Sequence, residues 1–153
     1  MIAVERASAP TAELVDALAR LVPQLSPTAA APGPDELAEL IEQRGAALLV
    51  AREGEAIVGV LTLLVFRIPT GTKARIEDVV VDESARGKGV GGLLTREALR
   101  LAEVAGAVHV ELSSHPSRQA ANRLYGRLGF AARDTNVYRF TFETTPPFAD
   151  LPT

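Results

Sequence analysis

Residues 86–92 read Arg86-Gly87-Lys88-Gly89-Val90-Gly91-Gly92, between a strand-like run, Ile76 to Val81, and a helix-like run that begins at Val90. Glycines let the backbone curl tightly and come close to a ligand, so that consecutive N–H groups and a helix N-terminus point at one anion. Arg86 and Lys88 add positive charge at the same place. Lysine occurs elsewhere only at Lys73, so Lys88 stands out, although a solvated loop lysine is the simpler reading.

Working outward from this loop, Ile2 to Arg6 alternates like a short strand. Thr11 is placed to cap a helix with Leu14, Val15, Leu18 and Leu21 at helical spacing, and Pro23 is expected to end it. A proline- and alanine-rich loop, Pro27 to Pro34, leads to a helix from Asp35 to Arg44 that Gly45 closes. Ala46 to Ala51 and Ala56 to Phe66 read as strands joined by Arg52-Glu53-Gly54-Glu55, an antiparallel hairpin connection. Ala74 to Val81 is the next strand. Val90 to Ala105 is helical, with Leu94, Ala98, Leu101 and Ala105 on one stripe, and Gly106 stops it. A strand carrying Val108, Val110 and Leu112 follows. Ser117 is placed to cap a helix that ends at Gly129, and Val137 to Phe142 reads as a last strand before a proline-containing tail, Thr144 to Thr153. The order predicts a mixed α/β domain over residues 1–143, in which the strand, glycine loop and helix cross over to a parallel neighbour.

Composition bounds the chemistry. A chain of 153 residues fits one domain with an adequate core. It has no cysteine and only two histidines, His109 and His115, which removes thiol nucleophiles, thiolate metal sites and disulfides, and makes a metal cluster unexpected. A formal charge of −3 and a pI near 5.4 argue against a general nucleic-acid binder. No basic n-region precedes a long apolar segment, and the longest apolar run, Ala56 to Phe66, is too short to span a bilayer. The expectation is a soluble cytoplasmic protein without nucleic-acid or membrane partners.

Three phosphate-binding patterns compete for the loop. A P-loop needs a Gly-Lys-Ser/Thr ending, and here Gly89 follows Lys88. Gly87, Gly89 and Gly92 satisfy the dinucleotide pattern G-x-G-x-x-G, with Glu111 about twenty residues on. Five residues, Asp82 to Arg86, separate that pattern from the strand end, however, and too little chain follows Leu112 for a doubly wound sheet.

The third pattern is Arg86-x-x-Gly89-x-Gly91, which resembles the pyrophosphate loop of the GNAT acyltransferase superfamily. A second segment, Ala121-Asn122-Arg123-Leu124-Tyr125-Gly126-Arg127-Leu128-Gly129-Phe130, is similar to that family's helix ending in Ala-x-x-x-Tyr-x-x-x-Gly-Phe. The two occur in the right order, and the resemblance covers most of the chain. It implies a mostly antiparallel sheet, splayed at the cofactor site and flanked by about four helices. It also implies an N-acetyltransferase that uses acetyl-coenzyme A, no metal, and a primary amine of a small molecule or peptide, by direct attack in a ternary complex. A coenzyme A-binding regulatory or structural domain without turnover is the alternative, and a dinucleotide enzyme ranks third. The family also admits a homodimer, which no sequence pattern here supports.

The resemblance assigns the pyrophosphate to Arg86, Gly87, Lys88, Gly89, Val90, Gly91 and Gly92, and pantetheine to the edge formed by Val79, Val80 and Val81, with an N–H near Val79 at the oxyanion. An alkylamine with a pKa near 10.4 is only about 0.04% neutral at pH 7, a handicap of about 4.6 kcal/mol, so a base is valuable. Glu77 is the favoured base and Asp78 the reserve; on a regular strand they point to opposite faces. Tyr125 matches the family's general acid. Arg118, Asn122 and Tyr125 share one helix face. Relatives carry an asparagine seven residues before the tyrosine to hold pantetheine, where this chain has Arg118, and Asn122 is the substitute contact. Ser113, Ser114 and His115 are adjacent in sequence and lack a G-x-S-x-G elbow, so they read as loop residues rather than a triad. His109, between Val108 and Val110, reads as a sheet residue.

Overall fold

In a computed structural model describing residues 1–153, the elements are β1 (Ile2–Arg6), α1 (Ala12–Leu25), α2 (Pro34–Glu42), β2 (Ala46–Glu53), β3 (Ala56–Ile68), β4 (Gly71–Val81), a 3₁₀ turn (Glu83–Ala85), α3 (Val90–Val104), β5 (Val110–Glu111) and α4 (Gln119–Arg127). The five strands form one sheet in sequence order. β1 to β4 are antiparallel neighbours, and β5 joins β4 in parallel after the α3 crossover. This is the predicted mixed α/β architecture.

β2 lies inside the sheet, and its Ala46–Ala51 run is buried on both faces, which accounts for its continuous apolar sequence. Leu49 and Ala51, with Leu61, Leu63 and Ile76, face Val90, Leu94 and Ala98 of α3 in one core. Leu48 and Val50 face the other way, onto Leu14, Leu18 and Leu21 of α1 and Leu37 of α2. Gly59 of β3 lets α3 sit close: a Cβ there would meet Val90 Cγ1 at 3.0 Å and Leu94 Cδ1 at 3.2 Å.

Three expectations need correction. Pro23 does not end α1, which continues to Leu25. A proline in the last turn forfeits one amide bond there, and the helix closes through the N–H of Ser26 to the carbonyl of Val22. Ser117 does not cap α4: the N-cap is Arg118, without a side-chain cap bond, while the Ser117 hydroxyl lies 2.7 Å from Nδ1 of His115. Finally, Val137 to Phe142 forms no strand and stays exposed. Its alternation suits a strand, but within one chain it has no ladder to join. No helix is long and apolar enough to cross a membrane.

Candidate active site

β4 carries the local irregularity that makes the cleft. Val60 pairs with Val80 and Thr62 with Glu77, so Leu61 of β3 faces two residues, Asp78 and Val79, in a β-bulge. Asp78 has φ +50°, the only non-glycine residue with positive φ, a conformation that aspartate tolerates better than most residues. On the other edge of β4, β5 pairs only with Ala74 and Arg75. Beyond that point the strands part, leaving the β4 edge from Ile76 to Val81 without a strand partner.

A cavity of about 130 Å³ fills the gap. Ile76, Glu77, Asp78 and Val79 form one wall, Leu112 and Ser113 the other; Leu25 closes one end, and Arg118 and Tyr125 reach in from α4. Two predicted catalytic residues thus meet in one place. The Glu77 carboxylate accepts a hydrogen bond from Arg75 Nε at 3.1 Å, and Arg75 Nη2 lies 3.4 Å from the Ser113 hydroxyl. Asp78 has no such partner. Partial desolvation and the neighbouring Glu77 charge raise its pKa above the ordinary aspartate range. Tyr125 is buried, edge-on to Phe130 with ring centroids 5.7 Å apart. Burial pushes its phenol pKa up, and the Arg118 charge opposes this in part.

The glycine loop follows β4 after the 3₁₀ turn Glu83–Ala85. Gly87 and Gly89 have φ of +80° and +83°, and Gly89 is the left-handed N-cap of α3. The first intrahelical amide bond is made by Leu93 to Gly89, which leaves the amides of Val90, Gly91 and Gly92 at the helix start without intrahelical acceptors. No acidic side chain occupies that first turn. A Cβ on Gly91 would press to 3.3 Å from Leu124, and one on Gly92 to 3.3 Å from Arg96. Arg86 Nε is 3.4 Å from the Val81 carbonyl, and Lys88 Nζ pairs with both Glu53 oxygens at 3.0 and 3.2 Å.

Several residues outside the sequence motifs hold this arrangement. Arg20 of α1 donates to Asp82 at 3.1 Å and to the Ile57 carbonyl at 2.6 Å. Asp82 also accepts from the amide and hydroxyl of Ser84. Gln24 accepts from the Glu83 amide at 3.0 Å. α1 therefore clamps the entrance to the glycine loop. Arg20 and Gln24 left no signal in the sequence, because each acts through a partner that only the tertiary fold brings near.

Of the predicted cofactor contacts, Val79 and Arg118 line the cavity, whereas Val80, Val81, the loop residues 86–92 and Asn122 do not. Asn122 spends its side-chain amide on the His115 carbonyl at 3.1 Å and does not line the cavity. The Val80 side chain is buried in the core beside α1, so only its main chain faces the open edge. His109 pairs with Glu111 on β5 at 2.9 Å, as a sheet residue would.

Residues 15–130 match the Acetyltransferase (GNAT) family. No curated protein matches the chain in sequence. Among solved structures, a protein of Agrobacterium tumefaciens str. C58 described as an acetyltransferase is 27% identical, with a TM-score of 0.80 over 91% of this chain and 99% of that one. A transcriptional regulator from Bacillus halodurans C-125 is also 27% identical (TM-score 0.76, 93% and 100% covered). An acetyltransferase of Trypanosoma brucei is 25% identical (TM-score 0.74, 92% and 100% covered).

Proposed function

Because the chain belongs to the Acetyltransferase (GNAT) family, we propose that it transfers an acetyl group from acetyl-coenzyme A to a primary amine. The observation that carries this reading is the juxtaposition of Glu77, Asp78 and Tyr125 around one cavity, between parted strands and beside a glycine loop at a helix start.

The loop fits a pyrophosphate. Gly87 and Gly89 are left-handed, the first α3 amides lack intrahelical acceptors, and no carboxylate sits in the first turn. Gly87 to Gly92, with Arg86 and Lys88, would hold the phosphates. The open β4 edge from Val79 to Val81 offers main-chain groups to the amides of the pantetheine arm. Acetyl-coenzyme A, when bound, would supply the acetyl group as an activated thioester.

The chain's own residues then manage protons. Of the two carboxylates, Asp78 is the better acceptor: its raised pKa lies closer to the working range, whereas Glu77 is tied to Arg75. Glu77 places a second negative charge beside the arriving ammonium. Tyr125 keeps its proton at neutral pH because burial disfavours the phenolate, as a general acid requires. Arg118 lines the same cavity and offers a cation to the leaving group or to an anionic part of the acceptor.

A thiol-release screen with acetyl-coenzyme A against small amines, amino sugars, polyamines, amino acids and peptide N-termini tests the reading. The expected result is turnover with one of these classes. Tight coenzyme A binding with no release across all of them would overturn it in favour of a silent binding domain.

A further inference from the structure

The cavity between the parted strands holds charges of both signs, and they are unevenly matched. Of its two carboxylates, Glu77 is paired with Arg75, so its charge is answered within the chain, while Asp78 makes no ion pair. Arg20, Arg52, Arg75, Lys88 and Arg100 are each tied to a carboxylate. Arg118 is tied to none, and it alone among the cations lines the cavity. Its charge is felt at the Tyr125 phenol, whose upward shift it opposes, so the guanidinium stands close to the proposed acid.

An acceptor has to answer both unmatched charges. A bare amine would bring an ammonium to Asp78 and leave Arg118 without a counterion. A polyamine would set a second cation against Arg118, a like-charge contact that opposes binding. An amine that also carries an oxyanion satisfies both sites at once, since a guanidinium presents a planar fork of donors that fits a carboxylate or a phosphate-type group with two parallel hydrogen bonds. Size sets the spacing. The cavity of about 130 Å³ is well below the roughly 300–1,000 Å³ of sites for drug-sized ligands, so amine and oxyanion have to stand within a few bonds of each other. Leu25 and Leu112 supply apolar wall for a short aliphatic remainder.

We infer that the acceptor is a small zwitterion, a primary amine with an oxyanion a few bonds away, and that Arg118 selects it by pairing with the oxyanion while Glu77 and Asp78 receive the ammonium. This inference rests on the acetyl-transfer reading and narrows it from primary amines at large to amino acids and their phosphonate analogues. In the transfer the ammonium loses a proton, the nitrogen–carbonyl bond forms as the carbon–sulfur bond breaks, and the sulfur leaves as a thiol. The product is an N-acetyl acid whose oxyanion is unchanged.

Matched substrates test it. Alanine and β-alanine both become ethylamine on losing the carboxylate, and the aminoethylphosphonates carry a phosphonate in its place. With acetyl-coenzyme A and thiol release as the readout, the wild type should use at least one oxyanion-bearing amine with kcat/KM roughly 10- to 100-fold above ethylamine, the range expected of hydrogen bonds between charged groups. The larger ratio decides between carboxylate and phosphonate. Arg118→Ala should erase that preference through KM of the oxyanion substrate, leaving ethylamine turnover and the coenzyme A dissociation constant within about twofold of wild type. Arg118→Lys should restore part of it. An equal fall for ethylamine and its oxyanion-bearing partners would put Arg118 on the leaving thiolate, and a weakened coenzyme A complex would put it on the cofactor. Either result overturns the inference and leaves acetyl transfer standing. So does a wild type that acetylates other amines and prefers none of the zwitterions. Coenzyme A binding with no thiol release from any amine overturns acetyl transfer itself, and the inference with it.

Discussion

At the level of single residues, the cavity separates groups that sequence alone treats as equivalent. Glu77 and Asp78 are adjacent carboxylates, but one is held by Arg75 and the other sits unpartnered in a left-handed bulge. Since the Asp78 pKa is raised, the acid limb of kcat/KM should lie above the ordinary aspartate value of about 3.9. Asp78→Asn should abolish that limb and lower the rate by about 10²-fold or more, whereas Glu77→Gln should retain the limb. The same shift bears on stability. A carboxyl group whose folded pKa is raised disfavours the fold once pH rises past its unfolded value, so Asp78→Asn should be at least as stable as wild type at pH 7. Tyr125→Phe removes a proton and keeps the packing on Phe130. Turnover should fall by about 10²-fold or more with little change in melting temperature, and undiminished turnover would reject the acid role.

At the level of elements, helices and strands were legible where apolar spacing was strong, as in α1, α3 and β2 to β4. The tight turns of the glycine loop were legible because main-chain geometry is a local property, and Tyr125 was singled out only through the family resemblance. The bulge was not, since Ile76-Glu77-Asp78-Val79-Val80-Val81 reads as a plain strand until β3 fixes its register. The Arg20–Asp82 clamp was hidden for a similar reason: its partners are 62 residues apart. The Ser84 amide, Arg20 and the Ser84 hydroxyl lower the Asp82 pKa. That contribution is fully present above the unfolded value of about 3.9 and is lost as pH falls through the lower folded value. Asp82→Asn should therefore be less stable at pH 7 and should lose less on acidification than wild type, measured as urea midpoints from pH 7 down to pH 2.

For the whole molecule, the sheet divides the interior into two cores that share strands but little else. Leu94 belongs to the α3 side and Leu21 to the α1 side, and both are fully buried. Leu94→Ala and Leu21→Ala should each cost about 2–5 kcal/mol. In the double variant the losses should add to within about 0.5 kcal/mol; a large coupling in urea denaturation would show that the faces are not independent. The exposed aromatic row within Val137 to Phe142 lies outside both cores, so its substitution should leave the fold intact. Sequence reading expected a strand over that row from its alternation, and the segment forms none. It could not tell that the chain itself provides no place for it, because alternation encodes a face and not the surface that meets it.

The bulge in β4 also fixes parity. Ile76, Val79 and Val81 face the α3 core while Val80 faces α1, an assignment that holds only if Asp78 is skipped in the count. Deleting Asp78 would therefore leave every remaining side chain on its present face and match Val79 singly to Leu61, turning an interrupted ladder into a continuous one. The shortened chain should fold and melt no lower than wild type, having shed a left-handed residue that costs about 1–3 kcal/mol, and it should be catalytically inert. The site would then be a removable defect: a single surplus residue that the fold carries without needing it.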